Sequence, residues 1–568
     1  MNINELITNI LTSNLNAYFM LLLRMITPIV ALFIVWTAFT TFRKGVRSKN
    51  PVLMLTEEIT GASFPVLYWE NSIGRSKSCD IVLPDTTVSR DHAVLLRRDE
   101  GWFVTDTQSK AGIKVNSRNI EGRKLVGIDD KITIGQSVLT IRNAQIPEEK
   151  KSFFKGFTNS STSPVTLLLL INIVHFSMCF QLAFGTGEFL AYPFAIFAGM
   201  VSISWLFYFT TTVILNRKTF ELENIALLLS GIGIVLLSAH DFDQIISQFM
   251  AMVIGIIIFT ALIAFMAKSD RVTSWHIAFA VLAILIFVAN FVFGTEINGS
   301  KNWIYIGSFS VQPSEFVKIL FVLVGASTLD KLQTKTNIGA FILFASVCLG
   351  SLFAMRDFGT ACIYFAGFLV LAFMRSGSVR TIALILAVAV LGVVMIIYFK
   401  PYVAQRFAGW GNIWDHINDS LGYQQVRTLT YIASGGLFGM GLGNGYLHYI
   451  AAAESDLVFG LLCEEQGLLM GFVVVLALAL LVFFTMSHVR RSRSAFYSIA
   501  SCAAAGILVF QSCLNIFGST DILPLTGVTL PFISLGGSSM MAVWGLLAFL
   551  KASDERTYAL KRKKKVNE

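Results

Sequence analysis

The chain has 568 residues, 55% of them hydrophobic and only 14% charged, with 48 Phe and a mean hydropathy of +0.67. That balance excludes a soluble globular domain and indicates a polytopic membrane protein. The net charge of +9 comes largely from basic residues flanking apolar runs, where they orient a membrane protein and attract anionic lipid, so no nucleic acid partner is implied.

In chain order, the first apolar run covers 18–42 within an anchor segment 1–49. It lacks a basic leading region and a small-residue cleavage site, and RKGVRSK follows it, so it reads as a retained helix rather than a signal peptide. From 50 to 146 the apolar runs give way to short alternating stretches such as PVLYW, DIVL, HAVLLRR, GWFVTD and KITIG, separated by Gly, Asp, Asn and Ser. Regular short strands of this kind predict an all-β sandwich. A basic, polar linker, 147–164, leads to an apolar hairpin, 165–222, with spans near 165–185 and 190–215.

The remainder, 223–551, carries spans near 224–240, 245–267, 275–294, 314–330, 338–355, 358–374, 379–399, 457–486, 496–517 and 532–550, before a basic tail, 552–568. Roughly thirteen crossings are therefore expected, each long enough for a hydrocarbon core of about 30 Å. Alternate threading puts Arg43, Lys44, Arg217, Lys268, Lys331, Arg375, Arg490 and the KRKKK tail on one side. By the excess of positive charge, that side is the cytoplasm. The N-terminus then lies outside, and the β-rich insert and the C-terminus inside. Seven cysteines, mostly within apolar spans, show neither a disulfide framework nor zinc spacing, and no metal-ligating residues are assigned.

Within the insert stand Ile73-Gly74-Arg75-Ser76, Val88-Ser89-Arg90-Asp91-His92-Ala93, Trp102 with Asp106, and the Ser109 to Gly112 loop. In order and spacing these resemble a forkhead-associated (FHA) domain. The resemblance implies phosphothreonine recognition, in which loop side chains donate charge-assisted hydrogen bonds to a dianionic phosphate. It makes Arg75, Ser89 and Arg90 the phosphate-binding candidates and His92 a brace for the loop. The family usually has Asn-Gly-Thr where Ala111-Gly112-Ile113 stand, which removes an amide that would hold the peptide backbone. The alternative is a sandwich that no longer reads phosphopeptides.

Polar residues at membrane depth are costly, so their positions point to function. They fall in four clusters: 298–318 with Lys301, Glu315 and Lys318; Arg356 to Ala361 with Asp357; the long loop 400–456 with Arg406 and GGLFGMGLGNG; and LPLTGVTLPFISLGGSS, 523–539. Prolines and glycines break that last stretch, and irregular backbone at such depth must be buried in protein or line a cavity. Glu454, Asp456, Glu464 and Glu465 follow the long loop and enter an apolar run.

The blocks NG…W…QPSE..K, D-x-G-T-A, GYQ, GG..G.GLGN, E-S-D…EE.G and TG..LPF.S.GGSS closely resemble the SEDS family of FtsW, RodA and SpoVE. The resemblance implies a ten-helix core preceded here by about three extra helices, an α-helical polytopic membrane protein with the FHA-like sandwich inserted on the cytoplasmic side. It also implies polymerisation of lipid II into glycan strands at the outer face of the bacterial plasma membrane. Asp456 becomes the candidate base, with Lys301, Glu315, Lys318, Asp357 and Arg406 as substrate-binding candidates. A divalent cation such as Mg2+ is an alternative means of neutralising the pyrophosphate. Implied partners are a class B penicillin-binding protein transpeptidase, divisome or elongasome components, and a phosphothreonine protein from a Ser/Thr kinase pathway. The chain departs from the family pattern at Ile413, Ala452-Ala453, Ser455-Asp456-Leu457 and Leu535, none of which removes a charged group. A lipid II flippase and a non-catalytic scaffold remain the alternatives. Asp456 could also serve only as a helix N-cap.

Overall fold

The computed structural model describes, with short breaks, residues 14–44, 51–144, 163–390, 409–489 and 494–554. Helix α1 (Asn14–Lys44) is mostly apolar, carries Arg24 within it and contains Pro28. The chain then forms a sandwich of eleven strands between Leu53 and Asn143. These include β1 (Leu53–Glu57), β2 (Ser63–Val66), β3 (Glu70–Gly74), β4 (Ile81–Val82), β5 (Ala93–Arg98), β6 (Gly101–Asp106), β7 (Ile113–Val115), β8 (Arg118–Asn119), β9 (Arg123–Val126), β10 (Lys131–Ile134) and β11 (Ser137–Asn143). One sheet runs β2-β1-β11-β10-β7-β8 and the other β4-β3-β5-β6-β9. Alternation along each strand sends one face inward. Leu53 and Leu55 of β1, Ile132 and Ile134 of β10, and Leu139 and Ile141 of β11 meet Ile73, Leu95 and Val104 of the second sheet in a shared core.

The membrane part comprises α2 (Pro164–Gly185), α3 (Tyr192–Phe209), α4 (Glu221–Ser238), α5 (Phe242–Met266) and α6 (His276–Phe293). A three-stranded sheet follows, β12 (Thr295–Ile297), β13 (Ser300–Ile306) and β14 (Phe309–Val311). Then come α7 (Pro313–Thr328), α8 (Lys335–Ala354), α9 (Phe358–Ser376), α10 (Tyr423–Gly435), α11 (Val458–Val489), α12 (Ala495–Ser519) and α13 (Gly537–Ala552). Among the described residues, eight helices are long and apolar enough to cross a membrane, and Gly339–Ala354, Phe358–Met374 and Gly537–Ala552 are shorter apolar helices. The expected span 379–399 reaches outside the described residues. The expected last span, 532–550, begins only at Gly537, because the preceding Pro531 to Gly536 stretch is irregular. The polar stretch after 294 and the long loop after 400 conceal the small sheet and the amphipathic helix α10, whose signals are too short to stand out beside the spans.

Every residue of α4 is buried, which places it at the centre of the bundle. Its acidic start suits the helix dipole. There Glu223 pairs with Lys551 of α13 at 2.8 Å, and the same ammonium donates to the carbonyl and hydroxyl of Thr219. Three acceptors match the three protons of an ammonium, so this buried charge is compensated.

The sandwich is joined to the bundle at the start of α12. Buried Glu70 accepts hydrogen bonds from the Ser494 hydroxyl at 3.2 Å and the Ala495 amide at 3.0 Å, and Trp69 meets Tyr497 edge to face. A carboxylate on first-turn donors of a helix is favoured by the unpaired N–H groups there. Glu70→Ala is expected to weaken the joint by about 1–3 kcal/mol. Amide exchange across 494–497 would then rise about tenfold or more, and unchanged protection would refute the contact.

Candidate active site

The segment 523–539, irregular as far as Gly536, organises one end of the bundle. The Ser534 hydroxyl donates to the Ser455 carbonyl at 2.6 Å, and the Leu535 amide donates to the Glu454 carbonyl at 2.9 Å. From α12, the Asn515 amide group donates to the carbonyls of Asp456 and Val528. One helical turn earlier on the same face, the Gln511 amide group donates to the carbonyl and hydroxyl of Thr529. The backbone on both sides of Asp456 is thereby fixed, while its side chain stays half-buried. Gly527, at φ +68, lies against the carboxylate, so that a Cβ there would stand 3.3 Å from Asp456 Oδ2. No first-turn amide of α11 among the described residues donates to this carboxylate, so the N-cap alternative finds no support in the geometry. Burial lifts the Asp456 carboxyl above the ordinary aspartate range.

The Glu315 and Lys318 side chains pair at 2.7 Å on α7, and the Lys318 ammonium also donates to Gln511 Oε1 at 3.0 Å. Lys318 and Asp456 therefore flank the same face of α12, through Gln511 and Asn515 respectively. Asp357 caps α9 by accepting from the Thr360 amide, and it accepts further from Asn302 and Gln312. The ammonium of Lys301 donates to the Phe291 carbonyl at 2.7 Å, at the C-terminal end of α6. Arg406 lies outside the described residues. Asn302, Gln312, Gln511 and Asn515 were not singled out from the sequence. For Gln511 and Asn515 a signal was present, since two amides four residues apart inside an apolar span imply a shared polar face.

Helix α11, which begins two residues after Asp456, is kinked. Gly467 of α11 adopts φ 85 and ψ 165, outside any helical geometry. The loop after α10 fills the break: the Met440 and Gly441 amides donate to the carbonyls of Glu464 and Glu465, and the Leu468 and Leu469 amides donate to those of Gly436 and Leu437. The Glu464 carboxylate in turn accepts from the amides of Tyr446 and Leu447. The glycine-rich GGLFGMGLGNG stretch is thus pinned to α11. The additional N-terminal helices support it, with Arg24 of α1 donating to the Gly439 carbonyl and Gln466 donating to Gln181 of α2.

At the far end of β3 from Glu70, exposed Arg75 and Arg90 flank half-buried Ser89. The Arg75 amide donates to the Ser89 carbonyl, and the Ser76 amide to that of Arg90. Buried His92 accepts from the Ser89 amide through Nδ1, and its Nε2 stands 3.1 Å from the Gly112 carbonyl. It therefore ties this loop to the Ser109 to Gly112 loop.

Residues 225–558 match the family model described as "Cell cycle protein", that of FtsW, RodA and SpoVE, which spans more than half of the chain. The chain belongs to the FtsW/RodA/SpoVE family. Residues 71–135 match the FHA domain model. The chain is 32% identical to the peptidoglycan glycosyltransferase RodA of Mycobacterium leprae, over 57% of this chain and 75% of that protein. It is 30% identical to stage V sporulation protein E of Bacillus subtilis, over 44% of this chain and 71% of that one. A solved structure on the coordination of polymerisation and crosslinking by a peptidoglycan synthase complex has a chain that is similar at 25% identity and a TM-score of 0.50, covering 60% of this chain and 98% of that one. The FtsW/RodA/SpoVE core thus begins at α4, and α1 to α3 with the FHA domain precede it.

Proposed function

We infer that this chain is a peptidoglycan glycosyltransferase that polymerises lipid II, with an FHA domain that reads phosphothreonine. The observation that carries this is the Asp456 carboxylate, uncapped and half-buried beside Gly527, in a site whose backbone is locked by Asn515 and Ser534. Asp456 accepts the proton of the acceptor sugar hydroxyl as its oxygen bonds to the anomeric carbon of the donor, and the bond from that carbon to the pyrophosphate oxygen breaks with its electron pair. The departing pyrophosphate needs positive charge. Arg406, Lys318 and Lys301 are the side chains proposed for it, and buried Lys318 requires release from Glu315, as Lys301 does from the Phe291 carbonyl, to reach it. A divalent cation such as Mg2+ is the alternative means of neutralising the pyrophosphate, and the Asp456 carboxylate offers it one hard oxygen ligand.

The Asp456 end faces the outside of the plasma membrane and the FHA end the cytoplasm, a placement supported by the basic residues flanking the spans. A class B penicillin-binding transpeptidase partners the core, which contains no acyl-transfer motif of its own. The deciding test incubates the purified chain with lipid II, alone and with such a transpeptidase. Glycan strands from the chain alone, crosslinked only with the partner, are expected. Translocation without strands would mean a flippase, and neither activity with or without the partner would mean a scaffold.

In the FHA domain, Arg75→Ala is expected to abolish binding of a phosphothreonine peptide, because a charge-assisted pair to the phosphate is lost. Calorimetry checks this. Equal affinity of the parent for phosphorylated and unphosphorylated peptide would identify a sandwich that no longer reads phosphate.

A further inference from the structure

Three side chains from separate segments converge beside the kink of α11. His240 follows the C-terminal end of α4, with its amide on the Leu237 carbonyl. His448 sits in the short turn Leu447–Tyr449 of the loop that leads to Asp456. Glu465 lies on α11, two residues before Gly467, and is fully buried. One ligand atom from each lies within 4.8 Å of the others. The two imidazole rings face each other with centroids 4.3 Å apart.

We propose that His240, His448 and Glu465 form a binding site for a borderline divalent transition-metal cation of the Zn2+ type. Three buried atoms argue for it: His240 Nε2, His448 Nδ1 and Glu465 Oε1 have no hydrogen-bond partner. His240 Nε2 and Glu465 Oε1 approach to 2.8 Å without hydrogen-bond alignment. A simple ion pair between them would leave His448 Nδ1 stranded. A cation shared by the three accounts for all of them.

The donor set points the same way. Two imidazole nitrogens and one carboxylate oxygen suit Zn2+, which takes such ligands at about 2.0–2.2 Å and leaves a further position for water. Ligand atoms on such an ion stand about 3.3 Å apart in a tetrahedron, so the cluster needs side-chain shifts on the order of an ångström and no change of fold. The carboxylate is already oriented, since Glu465 Oε2 accepts from the Gly443 amide at 3.1 Å, the kind of outer contact that steadies a ligand. An all-oxygen Mg2+ site would not use the imidazoles. The bound cation would clip the α4–α5 turn, the 445–450 turn and α11 together, and so hold the loop that carries Asp456. The site stands apart from the polymerase reading, because binding is measured without turnover.

The test uses the full chain with an affinity tag free of histidine, stripped with chelator and titrated with Co2+. One equivalent should bind per chain, with the visible absorption of a low-coordinate, nitrogen-ligated Co2+, and Zn2+ should displace it. His448→Gln and Glu465→Gln should each weaken binding at least tenfold, while His416→Gln, distant in the long loop, should not. X-ray absorption of the zinc-loaded parent should report two imidazoles in the first shell, a readout independent of how the variants fold. No saturable Co2+ binding by the parent, a zinc shell without imidazole, or equal binding by the parent and His448→Gln would overturn the proposal.

Discussion

Replacing Asp456 by Asn is expected to lower lipid II polymerisation by about 10²-fold or more, the usual scale for loss of a general base. Asn keeps the volume of the side chain and leaves untouched the bond from the Asn515 side-chain amide to the carbonyl of residue 456 and the bond from the amide of residue 456 to the Ala452 carbonyl, which fix this turn. The fold should not suffer. A carboxyl whose folded value is raised above the unfolded one binds its proton more tightly in the native state, so stability rises as pH falls through that range. Burial makes the charged form costlier in the folded site than in the unfolded chain, and Asn removes that cost. The same shift places the acid limb of the pH–rate profile above the ordinary aspartate range, and the limb should vanish in the Asn variant. Glu454→Gln should do much less, since its backbone rather than its carboxylate is used by the 523–539 segment. A well-folded Asn variant that polymerises at near the parent rate would remove Asp456 from the mechanism and turn attention to Asp357.

Gly467→Ala is expected to destabilise the membrane core by about 4 kcal/mol, combining backbone strain with overpacking. At φ 85 and ψ 165 the residue occupies a region that is essentially reserved for glycine. An added Cβ would collide with the Leu437 carbonyl and stand 2.6 Å from the Gly439 nitrogen. Both obstacles are backbone, so no rotamer change relieves them. The loop bonds to Glu464 and Glu465 would part, and the loop that runs through His448 to Asp456 would lose its anchor. Thermal unfolding followed by size-exclusion chromatography measures the effect. Gly339→Ala on α8 is the control, because nothing lies within 4 Å of its Cβ position, and it should be neutral or slightly stabilising. Equal melting of the two variants would show that the kink is not what holds the loop.

The spans, the β-sandwich and the chemical character of the core were legible in the sequence because each rests on a local signal. Apolar runs of membrane length, alternation between turn residues in 50–146, and the blocks around Glu315, Asp357, Asp456 and 526–539 all lie within a few residues of themselves. Short elements with weak periodicity were not legible, and α10 and the β12–β14 sheet passed as loop. The role of the GGLFGMGLGNG stretch, the pairing of Gln511 with Lys318 and of Asn515 with the Asp456 carbonyl, and the seat of the FHA domain on Ala495 depend on which helices become neighbours. The convergence of His240, His448 and Glu465 depends on it most, since no spacing along the chain relates them. Hydropathy and alternation act through each segment's own environment and so can be read from the sequence in order. Contacts between segments arise only when packing brings distant backbone together, and that was decided by the tertiary structure alone.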